Sequence, residues 1–181
     1  MPRKLQIVQV GDPVLHKIAR RLSAEEIGAP GIQSLIGDIR FTNEDASYGV
    51  GLAAPQVGES VALSVIGIKP TPNRPNLERF DQVIINPTYK GVGKPVGMWE
   101  GCQSCGEAKL FAQAVRYAEI EAEWLDETGM EHARALGGFV AHVFQHETDH
   151  LNGILFFERV IDPKTYMSAE EYRKRIIDAK G

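Results

Sequence analysis

The sequence predicts an α+β fold: mostly antiparallel sheets around a late central helix, with a C-terminal helix and a single domain over 1–181. Three features point there. Runs rich in β-branched residues come early in the chain. Between Ala118 and Trp124, apolar residues alternate strictly with Glu119, Glu121 and Glu123, the pattern of an antiparallel strand with one solvated face. Helical periodicity of the strongest kind comes late, around residues 146–150. Strands first and the key helix afterwards is the order of an α+β domain.

Taken in order, Gly31–Ala46 reads as an early helix whose apolar stripe is Ile32, Leu35, Ile36 and Ile39. A glycine-rich passage, Tyr48–Gly58, follows. Val61–Ile68 and Gln82–Asn86 read as strands, separated by a loop at Pro70–Asn76 that holds three prolines. Pro95–Trp99 is expected to be a further strand running to Cys102. The alternating strand at Ala118–Trp124 turns at Asp126–Gly129 and returns over Met130–Ala135. Leu136, Val140, Val143, Phe144 and Leu151 then follow helical spacing, and Asn152-Gly153 supplies a stop. A last helix is expected from Ser168, with Glu171 completing a capping box.

Composition excludes more than it selects. With 181 residues, 43% hydrophobic and 24% charged, the chain resembles an ordinary globular domain large enough to bury a core. A net charge of −4 gives no reason to expect direct reading of nucleic acid or attraction to an anionic membrane. The Leu5–Val10 patch is too short and too polar for a signal peptide or a membrane span, so the expected location is the cytoplasm. The only cysteines are Cys102 and Cys105, which suits reduced thiols better than a disulfide scaffold.

The richest stretch is His146-Glu147-Thr148-Asp149-His150. On a helix, residues four apart share a face, so both imidazoles can reach one cation, and Glu147 lies close enough to take a proton from water polarised by that metal. Two ligands are too few for a catalytic metal. No histidine follows His150, and the later acidic residues form no convincing motif. The remaining strong donor is Cys102, in Glu100-Gly101-Cys102-Gln103-Ser104. One thiolate and two imidazoles leave a tetrahedral ion a position for water. In Gly49-Val50-Gly51-Leu52-Ala53-Ala54-Pro55-Gln56, small residues permit close backbone approach to a ligand and Gln56 offers an amide donor.

Together the three segments resemble the peptide deformylase family, in its order: G-x-G-x-A-A-P-Q, E-G-C-x-S and Q-H-E-x-D-H. The resemblance runs from Gly11-Asp12-Pro13-Val14-Leu15 to about Val160. It implies a metallohydrolase that removes the formyl group from the N-terminal formyl-methionine of nascent proteins. By motif position it implies Cys102, His146 and His150 as metal ligands and Glu147 as general base and then general acid. Gln56, through its side chain, and Gln103, through its backbone N–H, would stabilise the oxyanion. The peptide would pair with Val50 and Gly51, and its methionine side chain would enter among Met98, Gly101, Phe139, His142 and Val143. One divalent ion per chain is implied, Fe2+ first, with Zn2+, Ni2+ or Co2+ as substitutes.

The chain also departs from the family pattern. Gln103 stands where relatives usually carry Leu, and the Cys105–Val115 segment is unusual, with Lys109 near the position of an expected Arg. Lys lacks Arg's planar fork. His142, one turn before His146, faces the site or sits at its rim without a chemical role. Cys105 leaves two other readings open: a closed Cys₂His₂ structural zinc site and a dithiol redox pair. A peptidase-like hydrolase is a further alternative. Arg173, Lys174 and Arg175 on the last helix form a solvated face or a docking point near the ribosomal exit.

Overall fold

The computed structural model describes residues 1–46, 49–71, 75–106 and 109–180. Tyr48 of the glycine-rich passage, part of the Pro70–Asn76 loop, and Glu107 and Ala108 of the unusual segment lie outside them. The chain begins with a short helix, α1 (Ala24–Ile27), then α2 (Pro30–Asp45). Five strands follow: β1 (Gly51–Ala53), β2 (Leu63–Ile68), β3 (Phe80–Gly101), β4 (Phe111–Leu125) and β5 (Glu131–Gly137). Helix α3 (Gly138–Leu151) carries the pentad. A C-terminal helix, α4 (Ala169–Tyr172), runs on through wider and tighter helical turns to Lys180.

All five strands form one antiparallel sheet in the order β1-β2-β3-β4-β5. The strands expected at Gln82–Asn86 and Pro95–Trp99 are two parts of the 22-residue β3. It stays paired with β4 by absorbing register shifts between Ile85 and Thr88 and between Val92 and Pro95. Such bulges bend a long strand and strengthen its twist. They also hide its continuity, because the two-residue periodicity breaks at each one.

The expected alternation holds at Ile120, Ala122 and Trp124, which are buried. It fails at Ala118, which is exposed beside the Val92/Pro95 shift, and resumes inward at Ala112, Ala114 and Arg116. Beyond the turn, Asp126 stands in for missing strand partners, its carboxylate accepting from Thr128 N, Met130 N and His132. Leu136 belongs to β5 rather than to the helix. The change from strand to helix needs Gly138, whose φ of 56° is disfavoured for residues with a Cβ.

Two apolar layers meet on the sheet. Val140, Ala141, Val143 and Phe144 of α3 pack on Ile66, Ile68, Phe80, Ile84, Ile120 and Trp124. Ile36 and Ile39 of α2 pack with Leu52, Leu63, Val65, Val83 and Ile85. Phe144 is wholly buried, and emptying such a site costs about 3–5 kcal/mol. The pentad helix is thereby held firmly against the sheet. It stops where Asn152 N–H returns to Asp149 and Asn152 Nδ2 to the Thr148 carbonyl.

Candidate metal centre

Helix α3 and the C-terminal end of β3 bring three donors together. Cys102 Sγ lies 3.3 Å from His150 Nε2, which lies 3.2 Å from His146 Nε2. The three donor atoms are all within 4.8 Å of one another, and all three residues are buried. Bond lengths of about 2.0–2.3 Å around a tetrahedral ion place ligand atoms roughly 3.4–3.6 Å apart, so the cluster fits a metal. Hydrogen bonds to Cys105, His146 and His150 hold the Cys102 thiol well below its ordinary range against the opposing effect of burial, which favours the thiolate a metal needs.

The surroundings fix the ligands. Glu100 Oε2 accepts from His142 Nε2 at 2.5 Å and faces His146 Nδ1 at 3.4 Å, leaving His146 Nε2 turned to the cluster. Burial alone would raise the Glu100 carboxyl, but hydrogen bonds from the two histidines outweigh it and hold the group well below the usual carboxylate range. Arg116 grips both oxygens of Glu100, at 2.8 and 3.3 Å, and reaches Asp149 at 2.5 Å. Asp149 is in turn clasped by Arg159 at 2.7 and 2.9 Å. The planar cation on Glu100 is thus Arg116, not Lys109, which sits in the turn before β4. The inward phase of β4 breaks at Ala118 before it reaches residue 116, and an inward arginine contradicts an apolar face, so no local pattern marked it.

Glu147 is prepared differently. Its Oε2 is buried and has no hydrogen-bond partner among the described residues, as is also true of His150 Nδ1. Burial is the main reason its carboxyl is pushed up to about 7. Gly51 makes room for it, since a Cβ there would collide with the Glu147 carboxyl. Gln56 is held by Ala53 N–H, which donates to Oε1 at 2.9 Å, so its Nε2 points to Ser104 Oγ at 3.2 Å and Cys102 Sγ at 3.4 Å. One face thus joins a thiol sulfur, two imidazole nitrogens, a buried carboxyl pushed up to about 7 and an aimed amide.

The sequence profile of the family described as polypeptide deformylase matches residues 4–166. Peptide deformylase 2 of Nostoc sp. is 36% identical over 97% of this chain and 96% of its own length. The chain belongs to the polypeptide deformylase family. Peptide deformylase of Leptospira biflexa is 35% identical over 89% of the chain and 90% of its own length. Among solved structures, a class I type b peptide deformylase of Acinetobacter baumannii, bound to Met-Ala-Ser, covers 88% of this chain and 100% of its own with a TM-score of 0.81 and 31% identity. A peptide deformylase of Synechococcus elongatus in complex with actinonin covers 89% and 81% with a TM-score of 0.75 and 33% identity.

Within this deformylase frame, the residues expected to bind substrate lie at the start of β1, in β3 and in α3. Gly51 lies in β1, which has a strand partner on one side only. The Val50 carbonyl is already engaged, accepting from Gly67 N–H at 2.9 Å. Met98 and Gly101 lie in the last stretch of β3, opposite Ala114 and Phe111. Phe139 meets the His142 ring edge-on, and Val143 faces the core. His142 is no rim residue: it is 5% exposed and bound to Glu100. The Gln103 side chain crosses to the Gly51 carbonyl at 2.9 Å and Asn43 Oδ1 at 3.2 Å. Cys105 is not among the clustered donors, so a closed Cys₂His₂ site is not formed. A cavity of about 310 Å³ lined by Tyr89, Tyr117, Gln145 and Arg159 lies against Arg116, away from the donors.

Proposed function

We propose that this chain is a metal-dependent hydrolase, a single catalytic domain that removes the formyl group from the formyl-methionine of nascent polypeptides and releases formate. Family membership supports the reaction. The observation that carries it to particular residues is the buried Cys102–His146–His150 cluster with the unpartnered Glu147 oxygen beside it. Cys102, His146 and His150 are the residues that would hold one divalent ion. Such an ion supplies Lewis acidity that brings the pKa of water down to about 7.

The chain's own groups do the rest. Glu147 accepts a proton at Oε2, a buried oxygen with no hydrogen-bond partner among the described residues, and returns it to the departing amine. Gln56 Nε2 and the Gln103 backbone N–H stabilise the negative charge that develops on the formyl oxygen. Losing one such donor typically costs about a hundred- to a thousandfold in rate. The peptide pairs with backbone at Val50 and Gly51, taking the place of the Gln103 side chain on the Gly51 carbonyl. Its methionine side chain lies among Met98, Gly101, Phe139, His142 and Val143. Formyl carries only hydrogen on its carbon, so a close wall excludes acetyl by size.

We take Fe2+ as the resident ion, with Zn2+, Ni2+ and Co2+ compatible with the same donors. An iron-loaded sample should lose activity in air while a nickel-loaded one persists; equal persistence would count against iron. The cytoplasm, where formylated chains emerge, is the proposed location. Docking near the ribosomal exit rests on Arg173, Lys174 and Arg175. Arg175 pairs with Glu171, and Arg173 lies 3.8 Å from Asp178, so part of that charge is already balanced. Salt-insensitive co-sedimentation with ribosomes would remove the docking idea.

The deciding experiment measures bound metal and hydrolysis on one purified sample, using formyl-Met-Ala-Ser, its acetylated twin and an internal-amide peptide. Formate should appear from the first alone. A metal-loaded protein that leaves the formyl peptide intact, or cuts the internal amide comparably, would sink the proposal.

A further inference from the structure

Cys105 has no part in the chemistry just described, yet it sits against it. It is 5% exposed and packs with Cys102, Ala112, Ala114 and Phe156. Cys102–Cys105 closes as a turn, Cys105 N–H donating to the Cys102 carbonyl at 3.2 Å. A turn closed this way brings its end Cα atoms within about 7 Å, overlapping the span of about 4.4–6.8 Å that a disulfide bridges. Neither thiol is in a disulfide.

We propose that a hydroperoxide converts Cys102 and Cys105 into a reversible disulfide, with Cys105 as the resolving thiol that protects the metal-binding sulfur from permanent oxidation. This rests on the reading of Cys102 as a metal ligand. Hydrogen peroxide is of a size with the formyl group that the proposed site takes, and Cys102 keeps 8% of its surface exposed.

The steps balance. The Cys102 sulfur attacks one peroxide oxygen; an S–O bond forms, the O–O bond breaks, and the departing hydroxide takes a proton and leaves as water. The Cys105 sulfur then attacks the sulfenic sulfur of Cys102; the S–S bond forms, the S–O bond breaks, and the Cys105 proton leaves with hydroxide as a second water. The thiol pair gives up two electrons and the peroxide takes them. A disulfide sulfur has no thiolate charge to offer a cation, so the bridge favours metal release, and a dithiol reductant restores both thiols. The other groups on the Cys102 sulfur are His150 Nε2 at 3.3 Å and Gln56 Nε2 and Ser104 N, each at 3.4 Å. None of these is a thiol, so none can close a disulfide. Without Cys105, oxidation at Cys102 proceeds to sulfinic acid, which dithiols do not reverse.

The test compares the metal-loaded protein with its Cys105→Ser and Cys105→Ala forms, the second guarding against a packing fault in the first. Deformylation and metal content are read before treatment. Each sample then receives a small excess of hydrogen peroxide, after which intact mass, free thiols and released metal are measured. Dithiothreitol and fresh metal follow. The unsubstituted protein should lose two hydrogens and both thiols, release its metal, and recover metal binding in full. The variants should gain oxygen at Cys102 and stay unable to rebind metal. Oxygen gain in all three, or equal recovery in all three, overturns the proposal. Absent deformylation before treatment would instead count against the function, and the masses and thiol counts would still decide the disulfide.

Discussion

The two arms of the metal centre are built on different principles. His146 and His150 stand one turn apart on α3, so their separation follows from helical geometry and needs little else. Cys102 leaves the end of β3 into a turn whose place depends on distant contacts. Val10 N–H donates to the Ser104 carbonyl at 2.8 Å, Gly106 N–H to Gln9 Oε1 at 2.7 Å, and Gln9 Nε2 to the Gln103 carbonyl at 3.3 Å. The N-terminal segment therefore braces the thiol's turn from outside. The helical arm is local and rigid. The thiol arm is assembled by the whole fold.

The largest blow to the helical arm comes from Glu147→Gln. Metal should stay bound while kcat falls by about 10²- to 10⁴-fold, because proton transfer is lost and no ligand is touched. Metal analysis beside a formate assay checks it. Next is Arg116→Leu, which leaves Glu100 and Asp149 buried with too few partners. Stripping one member from such a buried network costs about 3–5 kcal/mol, read as a lower denaturant midpoint.

The metal-free protein gives a pH signature of nearly the same size. The Glu147 carboxyl is pushed up to about 7 from 4.5, so between those values the folded state keeps a proton that the unfolded chain has released. Stability should thus decline as pH rises from about 4.5 to about 7, by on the order of 3 kcal/mol at about 1.4 kcal/mol per unit, and then level off. Glu147→Gln should abolish that decline in denaturant titrations across the range.

Smaller effects sharpen the contrast. Glu100→Gln weakens the partner of His146 and should lower metal affinity by about ten- to a hundredfold in a chelator competition. Gln9→Ala removes two exposed hydrogen bonds from the thiol's turn. It should cost less than about tenfold in the same competition. A larger loss from Gln9 than from Glu100 would reverse the ranking of the two arms.

The contrast also explains what was legible in the sequence. The pentad, Cys102 and Gln56 could be named because each sits in a short motif with its own chemistry. The helix and the β4 alternation were visible because periodicity reports one buried face. The continuity of β3 was not, because its register shifts erase the period. Arg116 was hidden by its charge: an inward arginine contradicts the apolar pattern unless Glu100 and Asp149 are known to await it. His142 was ambiguous for the same reason, since its partner is 42 residues away. The reach of Gln103 to Gly51 depends on a contact that no local pattern records.

Gly51 carries a last consequence. Its bare Cα is the wall against which the Glu147 carboxylate rests, so the smallest possible addition, one methyl, would shove that group aside. A saturation library at this position, screened for formate release, should return glycine alone. Sequence freedom there is close to nil, because the clash comes with the very first carbon of any side chain.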